Sequence, residues 1–412
     1  MTTDTPPIAA PTPADEPVSM FGSLRIRNYR LFAGGQTISI VGTWMQNIAI
    51  GWLALQLSHS GTALGVVMAA RFVPILFFGP WGGLLADRVD NRRLLTVTQV
   101  SLVTLSTALA VLSWRGLVTL PLLVALELML GVTNVFDNPS RQNLIAQLVD
   151  RRHLGNAIAL NSTTINMAKV AGPGVAGLII STFGITPCFV CNAISYVAVV
   201  VSLLMIRSAE MYPLHRPSRA KGQIRDGLRY VMQTRELLYP MLMVVVTGIL
   251  TWEFPVSLPL LTTDTFHAGA RAYGLATAFM SLGSIAGGLI TARRQQLTVA
   301  SLGMSSLLWG LVICLAAVAP SLPIAYAALI FVGSSSVTFN ASAKTLLQTN
   351  ARPDMRGRVI SLWAIAWQGG TVIGAPLVGL TASAFGPRYG LLLGGLAAGA
   401  AALFAVAARR AG

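Results

Sequence analysis

The chain has 412 residues, 54% of them hydrophobic and only 10% charged, where an ordinary soluble protein carries about 25% charge. A domain this apolar cannot cover itself with polar groups, so a water-soluble globule is excluded, whereas lipid accepts it if the backbone is satisfied internally. The formal net charge of +15 does not point to nucleic acid, because no basic-aromatic soluble module accompanies it.

Residues 1–20 are rich in Pro, Thr and Ala, carry Asp4, Asp15 and Glu16, and lack an apolar core. They read as a disordered cytoplasmic tail and not as a signal peptide. A bilayer crossing takes about 20 apolar residues. Twelve such spans follow, at roughly 28–57, 61–86, 94–113, 118–141, 157–183, 187–207, 238–262, 271–292, 299–318, 322–344, 358–385 and 388–409. Separators such as Ser58-His59-Ser60-Gly61, Gly184-Ile185-Thr186-Pro187 and Gly386-Pro387 carry turn chemistry. Cys188 and Cys191 lie in an apolar run with no His nearby, so neither a metal site nor a disulfide framework is expected.

The 29 Lys and Arg divide unevenly over these spans. Arg115, Arg271 and Arg388 fall at one set of ends, Arg71 and Lys169 inside spans, and all the rest at the other set. The positive-inside rule places the rich side in the cytoplasm. An even span count agrees, since it returns Arg409 and Arg410 to the side of Arg25, Arg27 and Arg30. Some affinity for anionic lipid headgroups follows. The longest break, Arg207 to Leu237, holds Arg207, Arg216, Arg219, Lys221, Arg225, Arg229 and Arg235. Its second part, Ile224 to Met232, suits either an amphipathic helix on the inner face or a solvated linker.

The two sides of that break repeat each other. Gly172-Pro173-Gly174-Val175-Ala176-Gly177-Leu178 with Phe183-Gly184 recurs as Gly374-Ala375-Pro376-Leu377-Val378-Gly379-Leu380 with Phe385-Gly386. Phe136-Asp137 ahead of Arg141 recurs as Phe339-Asn340 ahead of Lys344, and Gly83-Leu84-Leu85 ahead of Arg88 as Gly288-Leu289-Ile290 ahead of Arg293. The expected architecture is therefore an all-α polytopic membrane protein with two pseudo-symmetric six-helix bundles. Its parts are the tail 1–20, a first bundle 21–207, a basic linker 208–237 and a second bundle 238–412. Parallel repeats of this kind imply alternating access, with substrate near the midplane between them.

The loop after span 2 reads Gly83-Leu84-Leu85-Ala86-Asp87-Arg88-Val89-Asp90-Asn91-Arg92-Arg93. Gly83 permits close helix approach, Asp87 can sit at the positive end of a neighbouring helix, and Arg88, Arg92 and Arg93 anchor the inner face. The stretch resembles the signature of the major facilitator superfamily, and the resemblance runs from Leu24 to about Arg409. It implies the twelve-helix facilitator fold, with Asp87 holding the outward-facing state through a contact with span 11. The second half has Ala292 at the acid position, which makes such a latch one-sided. Span 5 carries Gly172, Pro173 and Gly177 in a pattern similar to the glycine-proline motif of the antiporter branch. Glycines allow tight packing, and the proline predicts a kink or hinge. Phe136-Asp137-Asn138-Pro139-Ser140-Arg141-Gln142, Leu154-Gly155-Asn156-Ala157 and Arg27-Asn28-Tyr29-Arg30-Leu31-Phe32 resemble the enterobactin-exporter-like branch of siderophore, macrolide and multidrug efflux proteins. One position departs: many facilitator antiporters have Arg four residues before a glycine in span 4, and here Glu127 precedes Gly131.

Charges within hydrocarbon are functional candidates by default. Arg71 and Glu127 lie at similar depth in spans 2 and 4 and are expected to pair, with a structural and a coupling role both open. Lys169, near Asn166 in span 5, is placed to compete for Glu127 or meet an anionic substrate. Glu253 in span 7, flanked by Trp252 and Phe254, suits a proton or cation site. Asp137 and Arg141 are expected to form a gate or to partner the Asp87 loop. Spans 1, 4, 7 and 10 line the cavity in the resembled fold, which nominates Trp44, Gln46, Asn47, Asn134, Trp252 and Asn340, with Trp363 and Trp367 from span 11. Aromatics with a few polar groups suit a bulky amphipathic molecule.

These readings converge on a monomeric secondary exporter in the cell (inner or plasma) membrane, both termini cytoplasmic. A drug or siderophore would leave as protons enter, with no metal and no cofactor beyond the proton gradient. Direct ATP use is not expected: Lys344-Thr345 comes nearest to a P-loop, but Ala343 occupies the glycine position. An importer or lipid flippase of the same fold remains open. A transport-inactive scaffold or sensor would not need the midplane charges.

Overall fold

The computed structural model describes residues 19–213, 223–292 and 297–411. Most of the expected tail, Arg216, Arg219 and Lys221 of the linker, and Arg293 of the repeat lie outside the described residues. Span 1 is α1 (Arg27–Ser58), entered from a 3₁₀ turn at Gly22–Arg25, and span 2 is α2 (Gly61–Ala70) followed by α3 (Val73–Arg88). Spans 3 to 6 are α4 (Asn91–Trp114), α5 (Leu120–Leu148), α6 (Arg151–Phe183) and α7 (Thr186–Met205). The short α8 (Gln223–Gln233) precedes span 7, made of α9 (Arg235–Leu250), α10 (Phe254–Leu260) and a π-helical turn at Leu261–Thr265. Spans 8 to 10 are α11 (Ala270–Ala292), α12 (Val299–Ala317) and α13 (Leu322–Asn350). Span 11 is α14 (Arg356–Gly369) with α15 (Thr371–Phe385), and span 12 is α16 (Pro387–Ala411).

Local chemistry sets most of these boundaries. Asp90 and Asp150 accept hydrogen bonds from the first amides of α4 and α6, and Thr298 with Ser301 forms a reciprocal cap on α12. The repeated Phe-Gly pairs end α6 and α15 alike. Gly184 and Gly386 have φ of 83° and 109°, a region that only glycine enters freely, and each amide donates to the carbonyl four residues back.

Among the described residues, ten spans are long and apolar enough to cross a membrane on those grounds alone. Span 5 is a single 33-residue helix whose N-terminal part, as far as Lys169, holds Arg151, Arg152, Asn156, Asn161, Ser162 and Asn166. Span 11 is divided at Gly370 into pieces of 14 and 15 residues. Spans 2 and 7, read from the sequence as continuous, are also interrupted, at Arg71-Phe72 and at Thr251-Trp252-Glu253. Pro74 and Pro255 follow these breaks at the starts of α3 and α10, where proline lacks the amide that would continue the ladder. Pro173, expected to kink span 5, lies within an uninterrupted α6.

The first six spans pack on one another, as do the last six, and the two groups meet through spans 2 and 11 and spans 5 and 8. These seams are nearly backbone on backbone. A Cβ on Gly65 would overlap the Ala375 carbonyl, one on Gly61 would lie 2.7 Å from the Gly379 carbonyl, and one on Gly177 would lie 3.0 Å from that of Ala270. All of these contacts lie at the end of the bundle remote from the chain termini, which is therefore closed. Small residues let helices approach this way in lipid. Trp114, Phe183 and Phe385 stand exposed at that same end, as interfacial aromatics do.

α8 settles the open reading of the linker as a helix. Val231 is buried with Leu237, Leu347, Ala351 and Val359, Asp226 lies 3.6 Å from Arg358, and the Tyr230 hydroxyl accepts the Arg352 amide. The linker helix thus rides on spans 10 and 11.

Candidate transport pathway

The interruption of span 2 places Arg71 at the C-terminal cap of α2, with its side chain turned to span 4. Its Nε and Nη2 donate to Glu127 Oε2 at 2.7 Å and Oε1 at 2.9 Å, a two-pronged guanidinium–carboxylate contact. Nη1 donates to Asn47 Oδ1 of span 1. Glu127 is 1% exposed. Gly131 makes the approach possible, because a Cβ there would overlap the Arg71 carbonyl. The glycine four residues beyond Glu127 is thus the seat of the span 2 break. Both Glu127 oxygens are taken by Arg71, so Lys169 does not compete for them; its Nζ instead lies 5.7 Å over the Trp44 ring.

A second buried cluster lies nearer the basic-loop end. Asp137, fully buried, accepts from Thr98 Oγ1 at 2.9 Å, Gln99 Nε2 at 2.7 Å and Arg141 Nη2. Arg141 Nη1 reaches Gln36 Oε1 at 2.8 Å. The pair therefore ties spans 1, 3 and 4 together within the first half. Asp87 accepts from Asn143 Nδ2 at 3.2 Å, and the acid at the positive end of span 3 is Asp90. Arg92 binds the far end of span 6 through the carbonyls of Leu203 and Leu204 and the Ser208 hydroxyl, where helix carbonyls lack partners. Arg88 is exposed and Arg93 lies 3.7 Å from Asp90. Arg92→Met is expected to lower the melting temperature in detergent and Arg92→Lys to recover little of it, since the fork and not the charge makes three bonds; thermal unfolding of both variants checks this.

Two of the motifs that carry the branch resemblance, around Tyr29 and Ala157, meet each other. Tyr29 donates to the Ala157 carbonyl at 2.8 Å, Ser23 to Asn156 Oδ1 at 2.7 Å, and Asn28 exchanges bonds with the Arg207 backbone.

In the second half, Glu253 stands at the break in span 7, just before α10, at 2% exposure. Its Oε1 has no hydrogen-bond partner and lies 3.1 Å from where a Gly374 Cβ would stand in span 11. Among the described residues no cation pairs with it. Trp252 packs at a tilt 5.0 Å from Trp367, which also stacks on Trp309 at 6.4 Å. Trp367 is thus a core residue of the second half and not the cavity lining it was expected to be. Gln46 is corrected likewise: at 2% exposure it accepts from Ser106 and Asn192 of spans 3 and 6. Trp44, Asn47, Asn134, Trp252, Asn340 and Trp363 are all half-buried.

Thr98, Gln99 and Gln36 were not singled out from the sequence. A Thr-Gln pair inside span 3 is a detectable signal, since apolar helices seldom carry two adjacent hydrogen-bonding side chains without a buried partner. Gly83 is half-buried and Gly172 packs on Trp44, whose Cβ would lie 2.6 Å from an added Cβ. Among the described residues no group of three metal-ligating side chains occurs.

Comparison with known proteins follows the same lines. The model of the transmembrane secretion effector family matches residues 18–411. The chain is 25% identical to the Staphyloferrin A transporter of Staphylococcus aureus over 87% of its length and 90% of that protein. It is 25% identical to the Enterobactin exporter EntS of Escherichia coli, covering 87% and 88%, and 18% identical to Macrolide efflux protein A of Streptococcus pyogenes, covering 91% and 94%. Its fold is similar to a bacterial homologue of the iron transporter ferroportin in an inward-facing state, with a TM-score of 0.73 at 13% identity over 93% and 98% of the two chains. The nucleoside transporter NupG gives 0.71 at 13% identity over 93% and 98%.

Proposed function

The chain belongs to the transmembrane secretion effector family of the major facilitator superfamily, and on that premise we propose that it is a proton-coupled exporter of a bulky amphipathic small molecule. The relatives that span its length include a siderophore transporter, a siderophore exporter and a drug efflux protein, which favours outward movement. The bundles 21–207 and 238–412 rock against each other, with the termini and basic loops in the cytoplasm of a cell whose inner or plasma membrane holds the protein. In that orientation the seams of spans 2–11 and 5–8 close the outer side, and substrate enters from within.

Glu253 is the observation that carries proton coupling. The other two acids buried within the spans, Glu127 and Asp137, are held by arginines. Glu253 has none. A carboxylate buried without a cation costs several kcal/mol, and a proton removes that cost. Its position at the break in span 7, against Gly374 of span 11, links its charge to a helix that forms the outer seam. No cofactor beyond the proton gradient is required.

Reconstituted protein should move a radiolabelled siderophore or macrolide against its gradient when a pH difference is imposed, and stop when an uncoupler is added. Glu253→Gln should abolish the pH-driven movement while keeping gradient-free exchange within about threefold. Unchanged pH-driven transport in this variant would remove Glu253 from the coupling step; failure of the wild-type protein to move any candidate would remove export itself.

A further inference from the structure

Arg71, Arg141, Lys169 and Lys344 are basic side chains set more than a turn inside the spans, and they are not alike. Arg71 and Arg141 are held by Glu127 and Asp137. Lys169 and Lys344 have no carboxylate within ion-pair reach among the described residues. Each is instead laid over an indole ring: Lys169 Nζ is 5.7 Å from the Trp44 centroid and Lys344 Nζ is 5.1 Å from that of Trp363.

The two posts come from opposite halves. Lys169 stands on a sector of span 5 between two packed ones, Ala168 and Gly172 toward span 1 and Pro173 and Gly177 toward span 8. It lies two turns nearer the basic-loop end than the seam at Gly177. Lys344 projects from span 10 one turn beyond Asn340, toward the inner half of span 11. Lys169, Trp44, Lys344 and Trp363 are all half-buried, within reach of a ligand yet shielded from bulk water. At the second post a further donor lacks an acceptor, for the Trp363 Nε1 is buried without a partner.

A cation gains less from lying over an indole than its removal from water costs. The ring therefore holds each lysine in place without neutralising it. A charge kept in this condition is best satisfied by an anion brought from outside, and an indole beside it offers a flat face for a ring. Lysine acts here as a point charge that tolerates varied anion geometry.

We propose that Lys169 with Trp44, and Lys344 with Trp363, form a two-part recognition site for an anionic substrate that carries a planar ring. The inference rests on the transporter reading above but on neither its direction nor its proton. It separates the relatives' ligands by charge, since a cationic substrate would meet two unneutralised ammonium groups at these posts.

Equilibrium binding to the purified full chain in nanodiscs, with no pH gradient, tests it. The probes are radiolabelled 2-naphthoate, its uncharged twin 2-naphthamide and the cationic 2-naphthylmethylammonium. The acid should bind at least tenfold tighter than the other two. K169M and K344M should each weaken the acid by about tenfold and the amide by less than twofold, and K169R should restore the acid. Trp44→Leu should weaken acid and amide together. Equal binding of the acid and the amide by the wild-type protein, tighter binding of the cation, no binding of the acid at millimolar concentration, or a K169M/K344M variant that holds the acid as before would each overturn the proposal. The wild-type comparison decides the matter even if a variant does not fold. Gradient-driven export of cations alone would overturn this site and leave the exporter reading intact. Acid binding without any gradient-driven transport would do the reverse.

Discussion

Arg71→Met is expected to destabilise the protein by about 3–5 kcal/mol, because it leaves Glu127 buried and ionisable with nothing to hold its charge. Glu127→Leu should cost a similar amount by stranding Arg71, whose remaining anchor is Asn47 Oδ1. The double variant R71M/E127L should be milder than either single change, since two apolar side chains of similar volume replace a pair whose desolvation offsets most of its attraction. Thermal unfolding in detergent and the monodisperse fraction on gel filtration measure this directly. Additive losses in the double variant would mean that the two side chains act independently, against their two-pronged contact at 2.7 and 2.9 Å. A transport assay on the same set separates support from coupling: restored folding without restored transport would assign the pair a part in the cycle.

The second large effect belongs to the closed seam. Gly65→Val is expected to hold the outer end open and reduce transport at least tenfold, because even a Cβ at Gly65 overlaps the Ala375 carbonyl of span 11. Backbone atoms cannot swing aside as a flexible side chain can. Thr62 and Ser383 provide the reporter, as the Thr62 amide lies 3.2 Å and its hydroxyl 3.5 Å from the Ser383 Oγ across this seam. With the native cysteines replaced, T62C/S383C should form a disulfide readily, since its short reach requires the seam to be closed. Adding Gly65→Val should suppress that crosslink. Crosslinking at the original rate would show that span 2 closes on span 11 in spite of the added bulk.

Both predictions depend on details that the sequence disclosed unequally. The spans themselves were legible, because a bilayer-length apolar run has few other uses and the charges at its ends orient it. The interruptions of spans 2, 7 and 11 were not. Proline in an apolar span can lie inside a helix or open a new one after a break, so Pro74 and Pro255 begin helices here while Pro173 lies within one. Depth alone suggested that Arg71 and Glu127 meet, since two charges at one level of a low-dielectric slab have strong reason to do so.

Direction around a helix was harder to read than depth along it. Gln46 and Trp367 were placed in the cavity by their residue type, yet they face Ser106 and Asn192 in one half and Trp252 and Trp309 in the other. Between Asp87 and Asp90, the capping role depends on the residue at which α4 begins, a matter of three positions. Lys344 was read only as an echo of Arg141 and as a failed nucleotide motif, because the Trp363 beneath it comes from another helix.

By itself, then, the sequence determined the solvent, the number of crossings, the internal repeat and the depth of each charge, all of which follow from composition and order along the chain. Only the tertiary structure decided which charges are neutralised, which end of the bundle is closed and which acid stands without a cation. Those depend on the rotation of each helix about its axis, and that rotation is set by where a glycine lets two backbones touch.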